Sequence, residues 1–212
     1  MKFVESMLRL YAVTDRSWVG RQSLYEQVEC ALRGGATCVQ LREKELDAEA
    51  FLAEARELKA LCARYGVPFL INDNVALALQ VDADGVHVGQ EDMDARQVWH
   101  LIGKDKILGV TAKTVQQAQL AQQAGADYLG SGAVFGSATK TDAKPMSREL
   151  LQSICQSVSI PVVAIGGIHR GNIASLAGTD IRGVAVVSGI FGAADIEAEC
   201  RFLKAEMEKI IK

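Results

Sequence analysis

Eight short apolar runs recur along the chain, separated by longer stretches whose apolar residues repeat at helical spacing. The runs are LRLYAV (8–13), TCVQL (37–41), PFLI (68–71), GVHV (85–88), KILGV (106–110), DYLGSG (127–132), PVVAIG (161–166) and GVAVVS (183–188). Parallel strands buried on both faces read as continuous apolar runs, and their crossovers are usually helices. The alternation therefore predicts an α/β fold, and eight units are what a closed (β/α)8 TIM barrel requires.

The helical stretches carry their own punctuation. Residues 47–66 place Phe51, Ala55, Leu58, Cys62 and Tyr65 on one face, with Asp47 as N-cap and Gly66 as stop. Ser23 with Glu26, and Thr114 with Gln117, have capping-box spacing, and 195–211 repeats Ile196, Cys200, Leu203, Met207 and Ile210 helically. The stretches GGATCVQL, ADGVHV, AGADYLG and TDIRGVAVVS each run from a turn into a strand, so one unit is repeated within a single domain spanning 1–212. An open doubly wound sheet would need a G-x-G-x-x-G after its first strand, where TDRSWVGRQS lacks it.

Composition narrows the function classes. A chain of 212 residues can bury about 70% of its unfolded surface without staples. With 49% hydrophobic residues, 23% charged residues and a net charge of -3, it has neither the composition of a disordered chain nor a basic field for nucleic acid. Five scattered cysteines without a C-x-x-C pair read as small core residues in a reducing compartment. Glu5 and Arg9 interrupt any secretory apolar region, and no run approaches the ~20 residues of a membrane span, so a soluble cytoplasmic protein is expected.

In a barrel of this kind the chemistry sits at the C-terminal ends of the strands. After the second run comes VQLREKEL, where alternation sets Cys38, Gln40 and Arg42, then Lys44, on one face and Val39 and Leu41 on the other. Cations there suit an anionic ligand; the alternative is a surface ion pair of Arg42 or Lys44 with Glu43 or Glu45. Asp73 in NDN and Asp92 in GQED follow neighbouring strands, as expected either of a pair of Mg²⁺ ligands or of helix caps, with Asp73 capping one helix and Asp92 or Asp94 the next. The loop 130–145 is rich in glycine and hydroxyls, and Ser137, Thr139 and Lys140 in it suit an anion, unless it is a solvated connector. IGGI (165–168) and VSGIFGA (187–193) end the last two strands, where barrel enzymes commonly bind phosphate through backbone N–H groups. His87 reads as a satisfied core histidine, and no nucleophilic triad assembles.

Taken in order, LYAVTD, VQLREK, NDN, HVGQED, TKTD, AIGGI and VVSGIF resemble the thiamine phosphate synthase family from about Leu10 to the last helix. The resemblance implies a (β/α)8 transferase of thiamine biosynthesis, joining hydroxymethylpyrimidine pyrophosphate to thiazole phosphate with Mg²⁺ and releasing pyrophosphate. It implies substrate contacts along Gln40, Leu41, Arg42, Glu43 and Lys44 and at Asn72 and Thr111, with metal ligands Asp73 and Asp92. Ser137, Ala138, Thr139, Gly167, Val187 and Ser188 would take the thiazole phosphate, and Arg42, Lys44, Lys140 and Thr111 the catalytic roles. The family loop G-P-x-F-P-T-x-T-K is altered here, with Ala133, Gly136 and Ser137 replacing both prolines and a threonine. The rival readings are a thiazole tautomerase, a sugar-phosphate isomerase or epimerase, and a ligand sensor without turnover. Asp73, Asp92, Arg42 and Lys140 together argue against the first, and a requirement for a pyrophosphate-bearing substrate would separate the second.

Overall fold

The computed structural model describes residues 3–20, 22–136 and 145–211. Eight parallel strands, β1 (Leu10–Val13), β2 (Cys38–Leu41), β3 (Phe69–Asn72), β4 (Gly85–Val88), β5 (Ile107–Thr111), β6 (Tyr128–Gly132), β7 (Val162–Ile165) and β8 (Gly183–Val186), pair in sequence order, and β8 returns to β1. The expected (β/α)8 TIM barrel is the observed fold. Helices α1 (Leu24–Arg33), α2 (Ala48–Arg64), α3 (Val75–Gln80), α4 (Ala95–Ile102), α5 (Val115–Gln123) and α6 (Arg148–Ser157) follow the first six strands. A 3-10 turn, Ile173–Leu176, stands in the β7–β8 crossover, and α7 (Ser188–Phe191) and α8 (Ile196–Ile210) complete the chain.

Local chemistry sets these boundaries. Ser23 Oγ accepts the Glu26 N–H at 3.2 Å while the Glu26 carboxylate accepts the Ser23 N–H at 2.8 Å, the reciprocal box expected for α1. Asp47 caps α2, which ends before Gly66 at φ +67°, a left-handed turn that glycine adopts without strain. Thr114 caps α5, but the Gln117 amide oxygen takes the Lys113 N–H instead of the Thr114 N–H, shifting the reciprocal half of that box by one residue. Tyr65 stands exposed beyond the apolar face of α2 that the spacing assigned to it.

The apolar side chains form two shells. Outward residues such as Leu10, Val39, Leu41, Ile71, Val86, Leu108 and Val184 pack beneath the helices, while Tyr11, Val13, Cys38, Leu70, Ile107, Tyr128 and Val163 fill the barrel. Burial of this kind contributes roughly 25 cal/mol per Å² of apolar surface, so the outer shell holds each helix to the sheet. The register places Tyr11 opposite Cys38, Val13 opposite Gln40, Asn72 opposite His87, His87 opposite Gly109, and Gly109 opposite Tyr128. At Gly109 a Cβ would overlap the Tyr128 ring, and at Gly130 it would stand 3.0 Å from the His87 ring. Glycine at these inward positions makes the space that two large polar rings occupy.

Candidate active site

Above the inner shell the barrel opens into a cavity of about 470 Å³ at the C-terminal ends of the strands. Its wall brings together the sequence candidates Gln40, Arg42, Asn72, Asp73, Asp92, Thr111, Gly167, Val187 and Ser188.

The β1 end grips the segment after β2. Thr14 Oγ1 accepts the Arg42 N–H at 3.0 Å, and Arg42 Nη1 donates to Asp15 Oδ2 at 2.9 Å. Asp15 is itself held by the Ser17 N–H and hydroxyl. Arg42 thus enters the pocket wall with its orientation set from a neighbouring strand, and its Nε is buried without a partner among the described residues. Neither surface pairing considered from the sequence occurs for it.

Glu43 is not a pocket group. It turns away to Arg16, 2.6 Å distant, and accepts the N–H groups of Lys44, Glu45 and Leu46. Burial alone would raise its pKa, but these N–H groups and Arg16 hold it below the usual carboxylate value. The Leu41 side chain does not face the pocket either. It lies fully buried in the outer shell, as strand alternation dictates, so two of the five consecutive side chains carried over from the family motif face elsewhere.

Across the mouth, Lys44 Nζ reaches Asp73 Oδ2 at 2.7 Å, and Asn72 Nδ2 donates to Asp73 Oδ1 at 2.8 Å. Asp73 adopts φ +60°, with its N–H on the His87 carbonyl at 2.8 Å. That conformation costs of order 1 kcal/mol or more for a non-glycine residue, and it is held here by bonds from three directions. Asn74, not Asp73, caps α3, and Asp94, not Asp92, caps α4. Asp92 instead accepts the Gly89 N–H at 2.7 Å. Burial and the adjacent Asp73 carboxylate push its pKa up, against the opposing pull of the Gly89 N–H and Lys44. A carboxylate whose ionisation is disfavoured by the one beside it fits a divalent cation between the two, with hard oxygen donors and room for water and substrate oxygens. Among the described residues no set of three or more His, Cys, Asp or Glu side chains completes a metal cage. Mg²⁺, which commonly takes one or two carboxylates, does not require one.

The pocket floor adds Tyr11, Tyr128 and Gln90, which sequence reasoning did not single out, and gives His87 its partners. His87 lines the cavity, with Nδ1 2.9 Å from the Tyr128 hydroxyl and Nε2 3.0 Å from Thr111 Oγ1. Tyr11 lies 2.8 Å from the same Tyr128 oxygen, and Gln40 Nε2 donates to Tyr11 at 2.5 Å. Burial pushes both phenols well above their ordinary pKa, so both stay protonated. Gln90 joins the wall and donates to the Thr111 carbonyl at 2.6 Å. Ser137, Ala138, Thr139 and Lys140 lie outside the described residues.

The thiamine monophosphate synthase family pattern matches residues 10–190, which includes every pocket residue named above. The chain belongs to the thiamine monophosphate synthase family.

Its similarity to the thiamine-phosphate synthase of Ruminiclostridium cellulolyticum is 50% identity over 194 residues, 92% of each chain. The Clostridium tetani thiamine-phosphate synthase is 46% identical over 194 residues, 92% of this chain and 93% of that one. The solved thiamine phosphate pyrophosphorylase of Pyrococcus furiosus superposes with a TM-score of 0.90 at 36% identity, covering 98% of this chain and 99% of the other. Family membership makes the chain a transferase of thiamine biosynthesis, a thiamine phosphate synthase that acts on small molecules. No helix among the described residues is long and apolar enough to cross a membrane.

Proposed function

We propose that this cytoplasmic, single-domain chain joins hydroxymethylpyrimidine pyrophosphate to thiazole phosphate in the cavity above the barrel. The observation that carries this reading is the convergence of Arg42, Asn72, Asp73 and Asp92 in the wall of one pocket, from three successive strand ends, with Lys44 paired to Asp73 beside them. Such a cluster suits a leaving pyrophosphate better than acid–base chemistry, because it offers donors and metal ligands but no paired acid and base.

Arg42 and Lys44, with Asn72 and Lys140, hold the pyrophosphate, and Gln40 and Thr111 hold the pyrimidine side of the same substrate. Asp73 and Asp92 would ligate Mg²⁺, which when bound neutralises charge accumulating on the pyrophosphate oxygens. The carbon–oxygen bond breaks with its electron pair leaving on pyrophosphate, and the thiazole nitrogen lone pair then forms the new bond to the pyrimidine-methyl cation. Gly167, Val187 and Ser188, with Ser137, Ala138 and Thr139, take the thiazole phosphate. Here the glycine backbone at Gly166 and Gly167, both at positive φ, permits close approach.

The test is thiamine phosphate formation from the two phosphorylated substrates with and without Mg²⁺, repeated in Arg42→Ala and Asp92→Ala. Metal-dependent product, lost in both variants while thermal unfolding stays cooperative, is the expected result. Near-normal turnover in either variant refutes the site assignment; thiazole phosphate binding without any product favours a sensor.

A further inference from the structure

We propose that Gln40, Tyr11, Tyr128, His87 and Thr111 form one polarised hydrogen-bond chain across the barrel floor, in which the two buried tyrosines are positioning residues that fix which face of Gln40 and Thr111 the ligand meets. The inference deepens the reading above and rests on it for the identity of the ligand. Its geometry is independent of that reading.

The five side chains come from β2, β1, β6, β4 and β5, and each contacts the next at 2.5, 2.8, 2.9 and 3.0 Å. A protonated phenol has one proton to give, so once Tyr11 directs its own to Tyr128 rather than to the neighbouring Cys38 thiol the remaining directions follow. Gln40 Nε2 donates to the Tyr11 oxygen. Tyr11 then gives its proton to Tyr128, and Tyr128 gives its own to His87 Nδ1. A neutral imidazole that accepts at Nδ1 carries its proton on Nε2, and that proton goes to Thr111 Oγ1. The Thr111 hydroxyl proton is left for the cavity, as is the carbonyl oxygen of Gln40. The ligand meets an acceptor at one end and a donor at the other, matching an exocyclic amine and a pyrophosphate or ring acceptor respectively.

Reversing the Gln40 amide would reverse every bond, protonating His87 at Nδ1 and turning Thr111 into an acceptor. The chain thus has two polarities, and the ligand's own pattern fits one of them. Tyr128 is the joint: its ring sits between Tyr11, edge-on with centroids 5.9 Å apart, and His87, whose ring centroid is 5.6 Å away. Gly109 leaves the room for that arrangement.

The experiment combines two readouts. Nitrogen-15 spectra of histidine-labelled protein without ligand, assigned through His100→Gln and His169→Gln, report the His87 tautomer. The Nε2–H form is expected, giving way to a mixture in Tyr128→Phe; an Nδ1–H form in the unaltered protein overturns the proposal. In turnover assays, Tyr11→Phe and Tyr128→Phe should each raise the KM for the pyrimidine pyrophosphate about tenfold, with the thiazole phosphate KM unchanged, since each breaks the same chain. The Tyr11→Phe/Tyr128→Phe double variant should be no worse than either single one. Multiplying effects, or equal changes in both KM values, would mean two separate packing defects. Because the tautomer is read without ligand, a wrong substrate assignment would leave that result standing and void only the kinetic arm.

Discussion

Replacing Asp15 tests how Arg42, proposed to hold the pyrophosphate, is itself held. The carboxylate accepts from Arg42 Nη1 and from the Ser17 N–H and hydroxyl, and the two side chains of the pair are only 8% and 19% exposed. Breaking a buried pair by removing one partner costs roughly 3–5 kcal/mol, because the remaining charge stays desolvated. Partial exposure of Arg42 places this pair at the lower end, about 3 kcal/mol, and loss of the cap adds about 1 kcal/mol. Asp15→Ala should therefore lose about 4 kcal/mol, a fall in Tm of roughly 8–16 °C for a chain of this size. Asp15→Asn keeps an oxygen for Ser17 and should lose about 1 kcal/mol less. Adding Arg42→Met to Asp15→Ala should recover part of the loss, because it removes the stranded cation. Thermal and denaturant unfolding of the three variants measure this directly. If Asp15→Ala loses under 1 kcal/mol, or if Arg42→Met adds a further loss of its own, the clamp between β1 and β2 does not hold Arg42 as described.

Gly109→Ala forces a methyl group into the Tyr128 ring and should cost about 1–3 kcal/mol by overpacking, with a weakened Tyr128–His87 contact visible in the His87 spectra. An unchanged Tm would refute the packing argument. Burial raises the pKa of Asp127, which accepts the Leu108 N–H. Its folded pKa exceeds its unfolded one, so its contribution is fully present below the unfolded value near 3.9 and is lost as pH rises through the folded value. Asp127→Asn, which can still accept that N–H, should flatten this part of the pH–stability curve; an identical slope in the variant counts against the assignment.

The barrel was legible because parallel strands buried on both faces advertise themselves as apolar runs, and because Ser23, Asp47 and Gly66 mark helix ends by local chemistry. The rim was legible for a different reason: Gln40, Arg42, Asp73 and Asp92 are polar where a strand end calls for neutral turn residues. What sequence could not show was lateral pairing. Asp15 looks like a turn residue until β1 is set beside β2, and Glu43 looks like a ligand until Arg16 is seen to claim it. His87 was rightly read as satisfied, but its partners lie 24 and 41 residues away. The neighbouring inward glycines, which turn a core position into a cavity wall, acquire meaning only in the closed register. Leu41 shows the limit of a contiguous motif, because alternation turns its side chain outward and leaves only its main chain for such a contact.

Closure of β1 against β8, with Leu10 beside Val184 and Ala12 beside Val186, has a consequence for how the protein is made. Tyr11, Asp15 and Arg42 leave the ribosome early, whereas Val187 and Ser188 emerge only with the last strand. Until then β1 has one open edge and the pocket lacks a wall, so a nascent chain has no complete substrate site to be stabilised by its ligand. A chain that ends before β8 lacks the Ala185, Val187 and Ser188 wall of the pocket, and a stalled chain exposes the β1 edge to pairing with a neighbour.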